Sequence, residues 1–274
     1  MTDAMRSFQY TSSSVPKAYD EFLVPRLFGP WAKLLLDEAN LQAGEAVLDV
    51  ATGPGTVARL AAERLGPKGR VVATDIAQPM LDVAKAKAPL ADAAAIEYRQ
   101  SPAAPLSAPT GAFDAVLCQQ GLQFFPDRPA ALREMHRVLK PNGRAAIAVW
   151  AELARNPIFA AYHAALRATV PSELADMATV PCSWPSGTLL QAAAEEAGFS
   201  EVHLKTPTLL MVFEGGLEQA IQSFAATPIS SGVAALPQDV QEAFVARVRH
   251  EMIPLLKDGK VVGETNSNII VAHR

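Results

Sequence analysis

The chain has 274 residues, half of them hydrophobic and 19% charged, with a formal net charge of −4. That length leaves room for one large α/β domain with additions or for two small ones, and the apolar share permits a substantial core. The acidic balance, with no lysine–arginine cluster beyond scattered pairs, argues against a nucleic-acid substrate.

The opening MTDAMRSFQY lacks the apolar centre of a signal peptide. No apolar run later in the chain approaches the roughly 20 residues of a membrane span, so a soluble cytoplasmic protein without membrane insertion is expected. Residues 1 to 14 are polar and expected to be loose until a ligand or lid orders them. From Val15 to Leu41, apolar groups recur at helical spacing around Pro25 and Pro30, which predicts two helices joined by a proline-marked bend.

The run Ala46 to Val50 is an apolar strand that enters a glycine-bearing turn, Ala51 to Gly55, before Thr56 opens a helix carrying Val57, Leu60, Ala61 and Leu65. Gly53 and Gly55 remove side chains where a ligand must approach the backbone, and the free N–H groups of the helix start favour negative charge. A second strand, Arg70 to Thr74, ends at Asp75, 20 residues after Gly55, the spacing of a carboxylate that accepts from ribose hydroxyls. Together they point to a nucleotide-like ligand. Gly53 to Ala58 also fits the relaxed G-x-G-x-x-G/A dinucleotide pattern, which leaves a nicotinamide dinucleotide open. Asp49 weighs against it, because a carboxylate inside the strand, four residues before the first glycine, repels a pyrophosphate and suits a ligand bearing an ammonium group.

Further elements follow in alternation. A helix runs from Gln78 to about Ala88, with Pro79 at its start and Pro89 at its end, followed by a strand from Ala95 to Arg99. The next strand, Ala115 to Cys118, runs into QQGLQFF, whose Gln119, Gln120, Gln123, Phe124 and Phe125 lie where strand ends converge in a doubly wound sheet. Asp127 is the expected N-cap of a helix with Leu132, Met135, Val138 and Leu139 as its buried stripe and His136 facing away from the crevice. Lys140 to Gly143 turn the chain into a strand from Arg144 to Trp150. Beyond it come a helix from Asn156 to Val170, with Phe159, Tyr162, His163 and Leu166 on one face, and another from Gly187 to Ala197. A long strand from Glu201 to Phe213, helices over Leu217 to Ala225 and Gln238 to Leu256, and a last strand from Gly263 to His273 complete the chain. The Pro-, Ser- and Gly-rich stretches 170–186 and 226–237 are expected to be mobile covers. Cys118 and Cys182 sit outside any C-x-x-C pattern, so neither a zinc site nor a disulfide framework is indicated.

Four segments, VLDVATGPG, VVATDIAQPML, FDAVLCQQGLQFF and REMHRVLKPNGRAAIAVW, stand in the order and spacing of the class I S-adenosylmethionine-dependent methyltransferases, and the chain resembles their ubiquinone and menaquinone biosynthesis branch. The resemblance implies an α/β fold: a doubly wound, Rossmann-like, seven-stranded sheet with an antiparallel last strand, N-terminal helices and a helical lid insertion. It implies cap helices over 1–42, a cofactor-binding core over 43–150, a lid over 151–186 and a C-terminal part, 187–274, with a helical cover at 215–257. It assigns S-adenosylmethionine, leaving as S-adenosylhomocysteine, to Tyr19, Asp49, Ala51, Gly53, Gly55, Asp75, Ile76, Met80, Ser101, Pro102, Ala103 and Gln119. At Pro102 the family usually has an acid that accepts from the adenine amino group, so that contact falls here to the Ser101 hydroxyl or nearby backbone.

The activity so implied is methyl transfer to a small, largely apolar organic molecule such as a quinone, a phenolic or a secondary metabolite. Phe124, Phe125, Trp150, Phe159 and Tyr162 offer a dry pocket for an in-line displacement that needs orientation and dehydration above all. His163 is the candidate base, though a lone histidine on an apolar helical face is more often structural, and Gln120 and Gln123 could orient a polar acceptor atom. No carboxylate–histidine set marks a divalent-metal site, so transfer is expected to be metal-independent. Two alternatives remain from the sequence. One is a protein of the same fold that binds the cofactor without transferring methyl or promotes rearrangement of a bound substrate. The other is a nicotinamide-dependent reductase, for which no Tyr-x-x-x-Lys partner follows the glycine turn.

Overall fold

A computed structural model of the chain describes residues 14–184 and 186–274. The expectation for residues 1 to 14 falls outside that range, apart from Ser14.

The sheet is organised around β1 (Ala46–Val50), all five residues of which are buried. A strand covered on both faces needs apolar side chains throughout, and Asp49 is the one exception. β1 pairs in parallel with β2 (Arg70–Asp75) on one side and with β4 (Phe113–Gln119) on the other. β3 (Ala95–Gln100) extends the sheet beyond β2, and β5 (Leu139–Trp150) beyond β4. The long β9 (Lys260–His273) then runs antiparallel to β5 with Ile147 opposite Ile270, and β6 (Ser200–Lys205) closes that edge, giving the order β3-β2-β1-β4-β5-β9-β6. The winding reverses between β1 and β4, which leaves a crevice at the carboxyl ends of the parallel strands.

The expected helices cover both faces. α1 (Ser14–Ala18), a π-helical stretch (Tyr19–Phe28) and α2 (Gly29–Ala39) form one continuous helical run, where the prolines predicted two helices and a bend. Pro25 has no N–H to give, and the wide turns absorb that gap: the Gly29 amide reaches back five residues to Val24. Trp31 pins α2 to β9 by donating its indole N–H to Thr265 at 2.9 Å. α3 (Thr56–Leu65) and α4 (Gln78–Ala86) follow β1 and β2. α5 (Arg128–Val138) is capped as expected, the Asp127 carboxylate accepting from the Ala130 amide at 2.8 Å. His136 packs edge-on against Phe199, away from the crevice.

Two expectations fail in the second half. The single strand over 201–213 is two, β6 and β7 (Thr208–Phe213), because Pro207 interrupts the ladder. β7 pairs with the first half of β9, so that β9 bridges two sheet segments, and the short β8 (Leu256–Lys257) joins the same half. The sheet thus has nine strands, seven of them on the main path. The stretches 170–186 and 226–237, expected as mobile loops, instead hold α7 (Ser172–Asp176), a 3-10 turn (Met177–Cys182) and, after α9 (Gly216–Ser223), α10 (Ser230–Ala234). Ala175, Cys182, Ile229 and Val233 bury these turns against α6 (Pro157–Thr169) and the core. α8 (Gly187–Glu196) lies on the opposite face, and α11 (Gln238–Met252) backs the cover with Phe244 and Val248.

Candidate active site

The glycine turn joins β1 to α3 through three left-handed residues at alternate positions, Ala51 at φ 59°, Gly53 at 54° and Gly55 at 80°. The two glycines serve different ends. A Cβ at Gly55 would stand 2.9 Å from the Tyr98 hydroxyl and 3.1 Å from Ala84, so Gly55 lets α3 close onto β3 and α4. At Gly53 a Cβ would meet nothing within 4 Å. Gly53 therefore faces open space, with its own amide held in place by Asp75.

Asp75 lies at the end of β2. Its Oδ2 accepts from the Gly53 amide and its Oδ1 from the Ala77 amide, both at 2.8 Å. Burial raises its pKa, and those two N–H groups oppose the rise. The carboxylate is fixed in position while each oxygen keeps a second lone-pair direction. Ile76 beside it is 59% exposed and Met80 is buried. A flat apolar group could therefore lie against Ile76, while Met80 belongs to the packing underneath.

Asp49 is 1% exposed. The Thr52 hydroxyl donates to its Oδ2 at 2.5 Å, and Oδ1 has no partner. Burial pushes its pKa up to about 7, and the Thr52 hydroxyl pulls the other way. A buried carboxylate oxygen left unsatisfied is costly, and a cationic donor would remove that cost. Thr52 escaped the sequence reading, although its spacing of three from Asp49 at a strand end was the available signal. Gln119, at the end of β4, donates to the Phe28 carbonyl at 2.9 Å, and its buried Oε1 also has no partner.

The segment after β3 is arranged differently from expectation. The Ser101 hydroxyl donates to the Pro102 carbonyl at 3.0 Å and accepts from the Ser107 amide at 3.2 Å. It is spent on its own loop and does not replace the missing acid. Pro102 is exposed and Ala103 half-buried, which leaves only backbone groups there.

Next to this polar turn lies an apolar cavity of about 170 Å³. Gln120 and Gly121 connect the two, since a Cβ on Gly121 would lie 2.7 Å from the Ala51 Cβ. The helical run lines the cavity with Tyr19, Leu23, Leu27 and Phe28, and the sheet with Phe124, Trp150 and Met211. The cover adds Phe159, Tyr162, Leu166, Phe224 and Ile229. Trp150 is the hub, in edge contact with Trp31, Phe28 and Phe159 at 5.7, 6.2 and 5.2 Å. Tyr19 stacks on Phe28 at 4.6 Å, and its neighbour Asp20 pairs with Lys87 at 2.6 Å, tying the helical run to the end of α4.

Four of the five expected pocket residues, Phe124, Trp150, Phe159 and Tyr162, meet in this cavity. Phe125 does not. It turns under Gly121 into the core on the opposite face of the sheet, the packing role open to one of the two phenylalanines. Gln120 lines the cavity, donates to the Ser267 hydroxyl at 2.9 Å and is held at φ 55°. Gln123 is fully buried behind it and points at Gln120 from 3.5 Å, so it supports that side chain and does not reach the cavity. His163 also falls outside the cavity. It sits half-buried beside Arg167, and burial with that guanidinium lowers its pKa. On α6 the helical turn that aims Tyr162 and Phe159 inward aims His163 elsewhere. Among the described residues no three His, Cys, Asp or Glu side chains converge as metal ligands.

The sheet order with its antiparallel β9, and two acids flanking a glycine turn beside a dry cavity, define a Rossmann-like cofactor-binding fold of the methyltransferase type. Residues 48–147 match the family model described as "Methyltransferase domain", and the same part of the chain is similar to methyltransferases of the ubiquinone and menaquinone branch. Among its relatives are the nocamycin O-methyltransferase of Saccharothrix syringae, 39% identical over 43% of this chain and 42% of that protein, and the 2-phytyl-1,4-naphtoquinone methyltransferase of Synechococcus elongatus, 39% identical over 43% of this chain and 51% of that one. The ubiquinone/menaquinone biosynthesis C-methyltransferase of Hahella chejuensis is 38% identical over 42% and 46% of the respective chains. The chain spans about half the length of the curated relatives it matches. In solved structures its fold recurs in the phosphoethanolamine N-methyltransferase 2 of Haemonchus contortus, in complex with S-adenosyl-L-methionine, at a TM-score of 0.63 and 15% identity over 100% of this chain and 60% of that one. No described helix is long and apolar enough to cross a membrane.

Proposed function

We propose that the protein transfers a methyl group from S-adenosylmethionine to a small, largely apolar organic molecule of quinone, phenolic or secondary-metabolite type. The observation that carries this reading is the unpartnered Oδ1 of buried Asp49 and the open face of Gly53 in a turn whose Ala51 packs against Gly121, the neighbour of Gln120 on the wall of an apolar cavity. When bound, the cofactor supplies an electrophilic methyl on a cationic sulfur that leaves as a neutral thioether. The cofactor's amino-acid end would be held by Asp49 and the Ala51–Gly55 backbone, its ribose by Asp75, and its adenine by Ile76 and the backbone of 101–103. Gln119 and Tyr19 would border its reactive end. Phe124, Trp150, Phe159 and Tyr162 would exclude water and hold the acceptor in line, while Gln120 orients a polar atom on it.

We assign the cap to 1–42, the cofactor-binding core to 43–150, the lid to 151–186, and the rest of the sheet with its helical cover at 215–257 to 187–274. A cytoplasmic location, with no nucleic-acid partner, belongs to the same reading, supported by two free buried cysteines and the net charge of −4. The test is to incubate the protein with S-adenosylmethionine and a panel of hydroquinones and phenols and to follow S-adenosylhomocysteine. Accumulation that depends on both protein and acceptor supports transfer. Binding of the cofactor with no product from any acceptor would sink it.

A further inference from the structure

The cavity is unusual in what it withholds. Among the described residues that line it, only Tyr19 and Tyr162 are ionisable, and neither is an anion or a cation at neutral pH. Tyr162 donates to the Ala220 carbonyl, and burial pushes its pKa up. The Ser223 hydroxyl donates to that same carbonyl at 2.8 Å, and the Thr227 hydroxyl to the Phe224 carbonyl at 2.7 Å. These three hydroxyls are spent on backbone carbonyls, and those of Tyr162 and Ser223 lie 3.0 Å apart. Gln120 differs: its amide nitrogen uses one N–H on Ser267 and has a second. The lining thus keeps a spare donor on Gln120, at the end next to the glycine turn.

Charge then selects among acceptors. Transfer to a neutral amine carries the sulfonium's positive charge onto nitrogen, away from Asp49 and Asp75 and into an apolar cavity whose described lining holds no carboxylate, a costly outcome. An oxygen anion beside a sulfonium does the reverse, because two opposite charges cancel along the reaction and a medium of low dielectric favours their loss. The described lining offers no group to take a proton, so the acceptor must lose it to solvent before entry.

From this we infer that the acceptor is an acidic enol or phenol that enters as its own oxyanion, is held by the spare Gln120 N–H, and needs no protein base. A lone pair on the acceptor oxygen forms the bond to the methyl carbon while the carbon–sulfur pair withdraws onto sulfur, which leaves a neutral ether and a neutral thioether. This rests on the methyl-transfer reading above.

Other titratable groups near the path are Asp49 and Asp75 at the cofactor site, the Asp20–Lys87 pair by Tyr19, and His163 with Arg167 and Asp176 behind α6. Saturating cofactor removes Asp49 and Asp75 from the profile. Under that condition kcat/KM would be measured between pH 6 and 9 for phenols of similar size and graded acidity, and for anilines and benzylamines of the same shape. Below each phenol's own pKa the rate should rise tenfold per pH unit and then level, with the inflexion moving from phenol to phenol, and the amines should be at least 100-fold slower. An inflexion fixed at one pH for all phenols, or amines that react as fast, would overturn the inference. A second measurement needs no turnover: 4-nitrophenol added to the protein with S-adenosylhomocysteine, which has no methyl to give, should bind with the absorbance of its anion, and the Gln120→Leu variant should bind it at least tenfold more weakly. Binding as the neutral phenol, no binding, or an unaffected variant would count against it. Failure to bind S-adenosylmethionine at all would instead remove the reading on which it rests.

Discussion

The glycine turn and the acceptor cavity lie side by side and are built on opposite plans. The turn draws its parts from residues 49 to 77, is built largely of small and polar residues, and is fixed by the hydrogen bonds of the Asp49 and Asp75 carboxylates at the ends of parallel strands. The cavity gathers side chains from Tyr19 to Ile229, is apolar, and is held by aromatic packing. The contrast teaches that, on the proposed function, the part that would hold the cofactor is written locally, whereas the part that would choose the acceptor is assembled from distant segments.

The sharpest way to test this division is at the two glycines. Gly55→Ala combines a left-handed backbone with contact on Tyr98 and Ala84, and should cost about 2 to 4 kcal/mol of stability by chemical denaturation. Gly53→Ala meets open space and should cost about 1 kcal/mol or a little more while weakening S-adenosylhomocysteine binding by a larger factor. Equal losses of stability would erase the distinction between a packing glycine and a ligand-facing one.

Asp75→Ala should weaken cofactor binding by about 1.5 to 3 kcal/mol, read by calorimetry, with acceptor affinity unchanged. Phe159→Ala should do the opposite, raising the acceptor KM about tenfold and leaving the cofactor Kd within twofold, because Phe159 touches only the cavity side through Trp150. If the two variants change both ligands alike, the two regions are one.

Asp49 couples them to pH. Its folded pKa, near 7, lies above the ordinary value of about 3.8, so between the two the folded state holds a proton that the unfolded chain has lost. Its contribution to stability is therefore full below about pH 4 and lost as pH rises through 7. Cofactor binding runs the other way, strengthening over the same interval as the ionised carboxylate becomes available to a cationic group. Asp49→Asn should flatten both slopes, the first in denaturation and the second in calorimetry between pH 5.5 and 8. The smallest effect is expected at His163→Ala, whose turnover should stay within twofold because the ring lies outside the cavity.

These two plans also explain what the sequence disclosed. The β1 turn, Asp75 and the strand order were readable because period, glycine placement and spacing act over a few residues. The antiparallel β9 was expected from the family resemblance, since strand and helix counts in the sequence only permit it. The hidden parts were those fixed by contacts across the chain. Phe124 and Phe125 are adjacent, and only the turn at Gly121 decides which faces the cavity. His163 and Tyr162 are adjacent too, and the docking of α6 on Phe224 selects Tyr162. Pro207 marked the break between β6 and β7 and was outweighed by the alternation around it. Leu23, Met211, Phe224 and Ile229 line the cavity with no local signal of it, whereas the polar run Asn266, Ser267 and Asn268 within an apolar strand was a signal the sequence reading left unused: Ser267 accepts from Gln120 and donates to the Val149 carbonyl.

The most direct measurement is calorimetric titration of the protein with S-adenosylhomocysteine and, separately, with NAD⁺, each repeated on Asp75→Ala. Saturable one-to-one uptake of the first ligand, lost or strongly weakened in the variant, with no heat from the second, is the predicted result. Uptake of the dinucleotide alone, or S-adenosylhomocysteine binding indifferent to Asp75, would contradict the assignment of the turn.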